Sequence, residues 1–186
     1  MMSIERMLSK IWKTKLKNHN KVKYSFLNAL AVEEGEMQGD MMGISHIHKT
    51  DYFLKNNRQS CIYTNMFMRN ISYNTNIRDL CRKKYGKDLM VGDIWYQQYV
   101  YNDRHTWHEH EDADIAMIYY LELDNPRHST QFRNEYTKKT FFCNVAEGDI
   151  ILFPANFQHR SPKITSDVRK TVIVANCKLV DIEHDS

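Results

Sequence analysis

Glycine and proline are scarce. The 186 residues contain six of the first and three of the second, which excludes collagen-like, low-complexity and linker-rich architectures. Cysteine is sparse as well: the four thiols, at 61, 81, 143 and 177, include no C-x-x-C pair, so a zinc ribbon is excluded. We read the thiols as reduced and the chain as intracellular, with Cys81 and Cys177 as small core hydrophobes. No apolar run approaches the length of a membrane span, Met1-Met2-Ser3-Ile4-Glu5 lacks the core of a signal peptide, and mean hydropathy is −0.64. Nor does one sign of charge dominate. Set against 23 acidic residues, 26 basic ones leave a net +3, too weak a field to argue for nucleic acid or an anionic membrane as partner.

What the chain does contain is nine histidines and eleven tyrosines, with aromatics at 12%, a composition that argues against disorder. Its length fits one domain, residues 1–186, whose core needs no metal or disulfide to fold. Apolar residues at Ile4, Met7, Leu8, Ile11, Trp12 and Leu16 follow the i, i+3, i+4, i+7 spacing of an amphipathic helix with Ser3 as its cap. Lysines between Lys10 and Lys23 occupy the other face, where a solvated surface is commoner than a DNA grip. Further helices are expected over Tyr24 to Glu34 and Ile77 to Tyr85, the latter stopped by Gly86. From about Met90 the texture changes to short runs of Ile, Val, Tyr and Phe. Strands are expected near Asp93 to Tyr101, Thr106 to Glu111, Ile115 to Leu123, Thr140 to Asn144, Asp149 to Pro154 and Lys170 to Leu179. The expected fold class is mainly β: a sandwich or barrel over residues 90–180, behind a helical layer with first strands over residues 1–89.

The run Trp107-His108-Glu109-His110-Glu111-Asp112-Ala113-Asp114 puts two histidines at i and i+2 of a strand, on one face, with Asp112 in the same phase. Imidazoles with a carboxylate suit Fe(II), Mn(II) or Zn(II) and leave open positions for oxygen chemistry. A second run, Gly148-Asp149-Ile150-Ile151-Leu152-Phe153-Pro154-Ala155-Asn156-Phe157-Gln158-His159, reads as a turn, a buried strand and a loop that delivers a third ligand. Ten residues on, Arg169 opens a core strand; its guanidinium can grip a carboxylate with two hydrogen bonds. His46-Ile47-His48 repeats the H-x-H spacing but has no distal partner, and is read as a loop or the entry to a first strand. His105 and His128 lie in polar, turn-like contexts and are expected at the surface.

From Asp93 to Leu179 the chain resembles the 2-oxoglutarate- and Fe(II)-dependent oxygenases of bacteria, algae and phages, in their prolyl-hydroxylase-like branch. That resemblance implies a double-stranded β-helix, a jelly-roll or cupin-like barrel, with the N-terminal helices packed on it. It makes His159 the distal ligand and Arg169, in Arg169-Lys170-Thr171, the group holding the far carboxylate of 2-oxoglutarate, helped by Thr171. Tyr120, in Ile118-Tyr119-Tyr120-Leu121, would hydrogen-bond the same cosubstrate. The first motif departs from the family pattern. If His108 leads, His110 stands where a carboxylate is usual, as it often does in this branch; if His110 leads, Asp112 fills the place. We take His108, His110 and His159 as ligands, with Asp112 competing.

The resemblance further implies Fe(II), 2-oxoglutarate and O2 as cofactors, with ascorbate a candidate addition. It also implies hydroxylation of an unidentified substrate, with release of succinate and CO2. Cupins are the nearest rival, since His108, His110, Asp114, Gly148, Pro154 and His159 meet most of their two motifs; Arg169 and Thr171 separate the two readings. A jelly-roll interaction protein without a working metal site is the third class. Abundant Lys, Asn and Ile fit an AT-rich genome, and with the family branch they point to a phage or marine bacterial source and a cytoplasmic location, bacterial or host.

Overall fold

The computed structural model describes residues 2–39, 45–54 and 60–182. Its first helix is shorter than the periodicity predicts. α1 covers only Ile4–Leu8, capped by the Ser3 side chain, which accepts from the backbone N–H of Arg6 at 3.3 Å. The chain then extends into β1 (Trp12–Lys15), with exposed Lys13 and Lys15 alternating with half-buried Trp12 and Thr14. Apolar Ile11, Trp12 and Leu16 satisfy a helical spacing and Trp12 to Leu16 a period of two equally well; antiparallel pairing with the strand Asp149–Pro154 decides for the strand. α2 (His19–Val32) begins five residues before the expected helix, and α4 (Ile77–Tyr85) matches its expectation, ending on Gly86 with φ +63°. Between them lie β2 (Glu36–Gly39), β3 (His46–Thr50) and α3 (Ile62–Asn74).

The second half supplies β4 (Asp88–Tyr99), β5 (His105–His108), β6 (Ile115–Glu122), β7 (Gln131–Arg133), β8 (Thr140–Phe142), β9 (Asp149–Pro154), β10 (His159–Ser161) and β11 (Lys170–Val180). A seven-stranded sheet runs β1-β9-β6-β11-β4-β3-β2 and a four-stranded sheet runs β5-β10-β7-β8. Every neighbouring pair is antiparallel. The two facing sheets, with helices outside the larger one, form a double-stranded β-helix.

The large sheet is buried on both faces, which explains the unbroken apolar runs of β6 and β9. Phe26, Leu30, Phe67, Ile77, Tyr119, Ile150 and Ile173 pack in the layer shared with the helices. Trp95, Tyr120, Phe132, Ile151, Phe153, Val172 and Val174 pack between the sheets. Buried Cys81 and Cys177 belong to the helix-side layer, as expected. Among the described residues no helix is long and apolar enough to cross a membrane.

Candidate metal centre

β5 and β10 are neighbours, and their register sets His108 directly opposite His159. His110 follows two residues beyond β5, where its backbone N–H donates to the Ala155 carbonyl at 2.9 Å and so fixes the turn. Ligand atoms of His108, His110 and His159 all lie within 4.8 Å of one another. The Nδ1–H of His108 donates to the Thr106 carbonyl and that of His159 to the Phe157 carbonyl, each at 2.8 Å. Those bonds fix the tautomer and leave both Nε2 lone pairs bare. His110 Nε2 stands 3.3 Å from His159 Nε2.

Burial keeps this group neutral. It lowers the pKa of His108, pushes that of His110 down to about 4 with help from His108, and holds His159 well below its usual range. Three uncharged imidazoles with ring nitrogens gathered within 4.8 Å make a donor set that a divalent cation stabilises, so the residues fit a metal such as Fe(II). Asp112 is exposed in the turn after His110 and is not part of the cluster, and Asp114 accepts from the Leu179 backbone N–H at 2.9 Å. Among the described residues the geometry groups the three histidines and leaves Asp112 outside the group.

A cavity of about 230 Å³ opens beside the three rings, lined by Trp95, Tyr99, His105, Ile118, Ser161, Lys170, Val172 and Val174 among others. Lys170 and Arg160 border it, and the expected Arg169 does not. Arg169 donates from Nε and Nη2 to the two carboxylate oxygens of Glu122, at 2.8 and 3.1 Å, at the surface. Thr171 bonds to the same Glu122 carboxylate and accepts from Gln98. Alternation along β11 puts Lys170, Val172 and Val174 in the cavity, and Arg169 and Thr171 on the other face. Lys170 is 2% exposed and its ammonium donates to Ser161 Oγ at 2.8 Å. Burial pushes it down to about 7, and no carboxylate pairs with it among the described residues. Tyr120 is buried inside the barrel, but its hydroxyl donates to Thr130 Oγ1 at 2.9 Å and accepts from the Thr130 N–H at 3.1 Å, and it does not line the cavity.

Other expectations also change. His105 is no surface residue: it lines the cavity and stacks on His108 with ring centres 4.1 Å apart. His128 is 3% exposed, its ring nitrogens bonded to Asp124 and Thr165. His46 belongs to β3 and meets Asp103 at 2.5 Å, away from the three-histidine cluster. Lys170 is the site residue that the sequence pattern alone did not pick out. Its signal was the strand phase, which a strand apolar on both faces does not reveal.

No protein-family model matches the chain, and no curated protein matches it in sequence. Solved structures do match in fold. The non-haem α-ketoglutarate-dependent carbocyclase SnoK of nogalamycin biosynthesis superposes with a TM-score of 0.70 at 10% identity, over 96% of this chain and 84% of that one. The epimerase SnoN, solved with Fe3+, α-ketoglutarate and nogalamycin RO, gives 0.65 at 12% identity over 95% and 83%. A prolyl hydroxylase from Trichoplax adhaerens, in complex with a hypoxia inducible factor peptide fragment, gives 0.64 at 10% over 95% and 87%. This chain therefore has the double-stranded β-helix fold on which α-ketoglutarate-dependent, non-haem enzymes are built.

Proposed function

We propose that the protein is an Fe(II)- and 2-oxoglutarate-dependent oxygenase that hydroxylates an unidentified substrate. One observation carries the reading: a cavity with three converging imidazole donors also contains a buried, unpaired ammonium. Ser161, which holds that ammonium, lies two residues along β10 from His159, or roughly 7 Å of strand. A small ligand that chelates a metal through one end and carries a carboxylate at the other satisfies both groups, and 2-oxoglutarate is such a molecule.

In this reading His108, His110 and His159 hold the iron, with Thr106 and Phe157 carbonyls orienting two of the rings. Lys170 takes the distal carboxylate, steadied by Ser161 and by the Tyr99 ring 4.9 Å beneath its ammonium. Ile118, Val172 and Val174 keep water from the enclosed ligand, which strengthens the lysine's electrostatic hold. When bound, iron with 2-oxoglutarate and O2 supplies the oxidising chemistry that breaks a substrate C–H bond and leaves succinate and CO2. The chain's contribution is to place and enclose the reactants.

Anaerobic titration with Fe(II) and then 2-oxoglutarate tests the proposal through the visible charge-transfer band of the chelate. The band is expected in wild type, absent in His159→Ala and His110→Ala, retained in Asp112→Ala and Arg169→Ala, and weakened at least about tenfold in apparent affinity in Lys170→Met. Correctly metallated protein that shows no band is a cupin-type metal protein instead, and the proposal fails.

A further inference from the structure

On the outer face of the four-stranded sheet, two arginines have no carboxylate partner among the described residues. Phe132 and His159 point inward, so alternation turns Trp107, Arg133 and Arg160 to the opposite side, with Arg160 also bordering the three-histidine cavity beside Glu109. The guanidinium carbons of Arg133 and Arg160 lie 4.5 and 4.6 Å from the centre of the Trp107 ring system. The two charges are thus no farther apart than roughly 9 Å, about one Debye length at physiological salt. Each is held by an amide oxygen and not by a carboxylate: Arg133 donates to Gln158 at 2.6 and 3.1 Å, and Arg160 to Gln131 at 2.7 Å. Burial, and then the neighbouring Arg133, lower the pKa of Arg160, so the pairing is electrostatically unfavourable as it stands. The adjoining β7–β8 hairpin adds exposed Lys138 and Lys139, with Glu135 on the hairpin and Glu5 across the cleft beside Lys139.

We propose that this face docks single-stranded nucleic acid, with Arg133 and Arg160 taking backbone phosphates. Glutamine anchors leave guanidinium N–H groups for phosphate oxygens. Phe142, 40% exposed at the far strand of the same sheet, and Tyr136, 66% exposed on the hairpin, offer open rings for bases. An acidic polypeptide would use the charges but not the rings. The weak net charge does not oppose this, because Arg133, Arg160, Lys138 and Lys139 make a local basic group.

The test is anisotropy of a labelled oligothymidylate of about twelve nucleotides, with full-length protein at low and rising salt. Wild type is expected to bind, Arg133→Gln and Arg160→Gln each to bind at least about fivefold more weakly, and each to lower the slope of log K against log salt by about 0.7. A Lys17→Gln/Lys21→Gln protein, altered in the separate basic stretch near the N-terminus, is expected to bind as wild type does. Absence of binding by wild type at low salt overturns the proposal. So does full binding by arginine variants that merely melt at lower temperature, which marks a packing clamp. Loss confined to the lysine variant, or displacement by polyglutamate as effective as by unlabelled oligonucleotide, overturns it equally. None of these readings depends on iron or 2-oxoglutarate.

Discussion

Arg169 and Lys170 are sequence neighbours with opposite duties, because a strand turns consecutive side chains to opposite faces. The arginine closes on Glu122 at the surface, where an ion pair contributes about 1 kcal/mol or less. The lysine is enclosed with a hydroxyl for company. Burial holds it at about 7, so it is charged below that pH and increasingly neutral above. A dicarboxylate binds the charged form; the dissociation constant for 2-oxoglutarate is therefore expected to be level from about one pH unit below 7 downward. Above pH 7 the constant should rise by up to about tenfold per pH unit until the pKa of the complex is reached. Titrating the chelate band at several pH values measures this, and Arg169→Ala should leave the profile unchanged. The imidazole positions were legible in sequence because H-x-H and a distal histidine carry their own spacing. The choice between Arg169 and Lys170 was not: β11 is apolar on both faces, and a strand of that kind reveals its phase only through its neighbours.

Elements with a strong pattern or a firm stop were read almost to the residue: β9 matches its expected limits and α4 ends on its glycine. The three-residue strands β7 and β10 are too short to show a period, so His159 was expected in a loop and lies on a strand. Gly148 shows what one turn position contributes. It has φ +87°, and a Cβ there would stand 2.9 Å from Cγ of His19, whose ring is bonded to Tyr119 at 2.7 Å and to Glu147 at 3.2 Å. Gly148→Ala meets both backbone strain and a collision with the α2 anchor, and should lose about 2 kcal/mol of stability. A fall in Tm of about 4–8 °C follows for a chain of this size. Adding His19→Ala relieves the collision but not the φ, so the double variant should be less destabilised than the sum of the two singles. Thermal melts of the four proteins give the answer.

Across the whole molecule the large sheet is a partition, with one packed layer toward the helices and another around the cavity. Phe67, 1% exposed, lies on the helix side, and Phe153 meets the His159 ring edge-on at 4.8 Å. Phe67→Ala is expected to cost about 3–5 kcal/mol in denaturant unfolding while metal affinity of the folded protein stays within a few-fold of wild type. Phe153→Leu should cost less stability and more metal affinity, because it loosens a ligand's support. Metal itself is expected to stabilise the fold. At a free concentration a hundred times the dissociation constant, a divalent cation adds about 2.7 kcal/mol, hence a rise in Tm of about 5–10 °C. A chelator should reverse the rise, and His108→Ala should abolish it.

β11 lies between β6 and β4, yet it is the last strand to be made. During synthesis the two flanking strands are complete while the seam between them is still open, and both present unpaired backbone and apolar side chains until β11 leaves the ribosome. The same strand carries Lys170, and His159 precedes that residue by only eleven positions. A chain caught before that point lacks Lys170 in the wall of the cavity. The cavity beside the three histidines is thus completed only when the last strand closes the barrel.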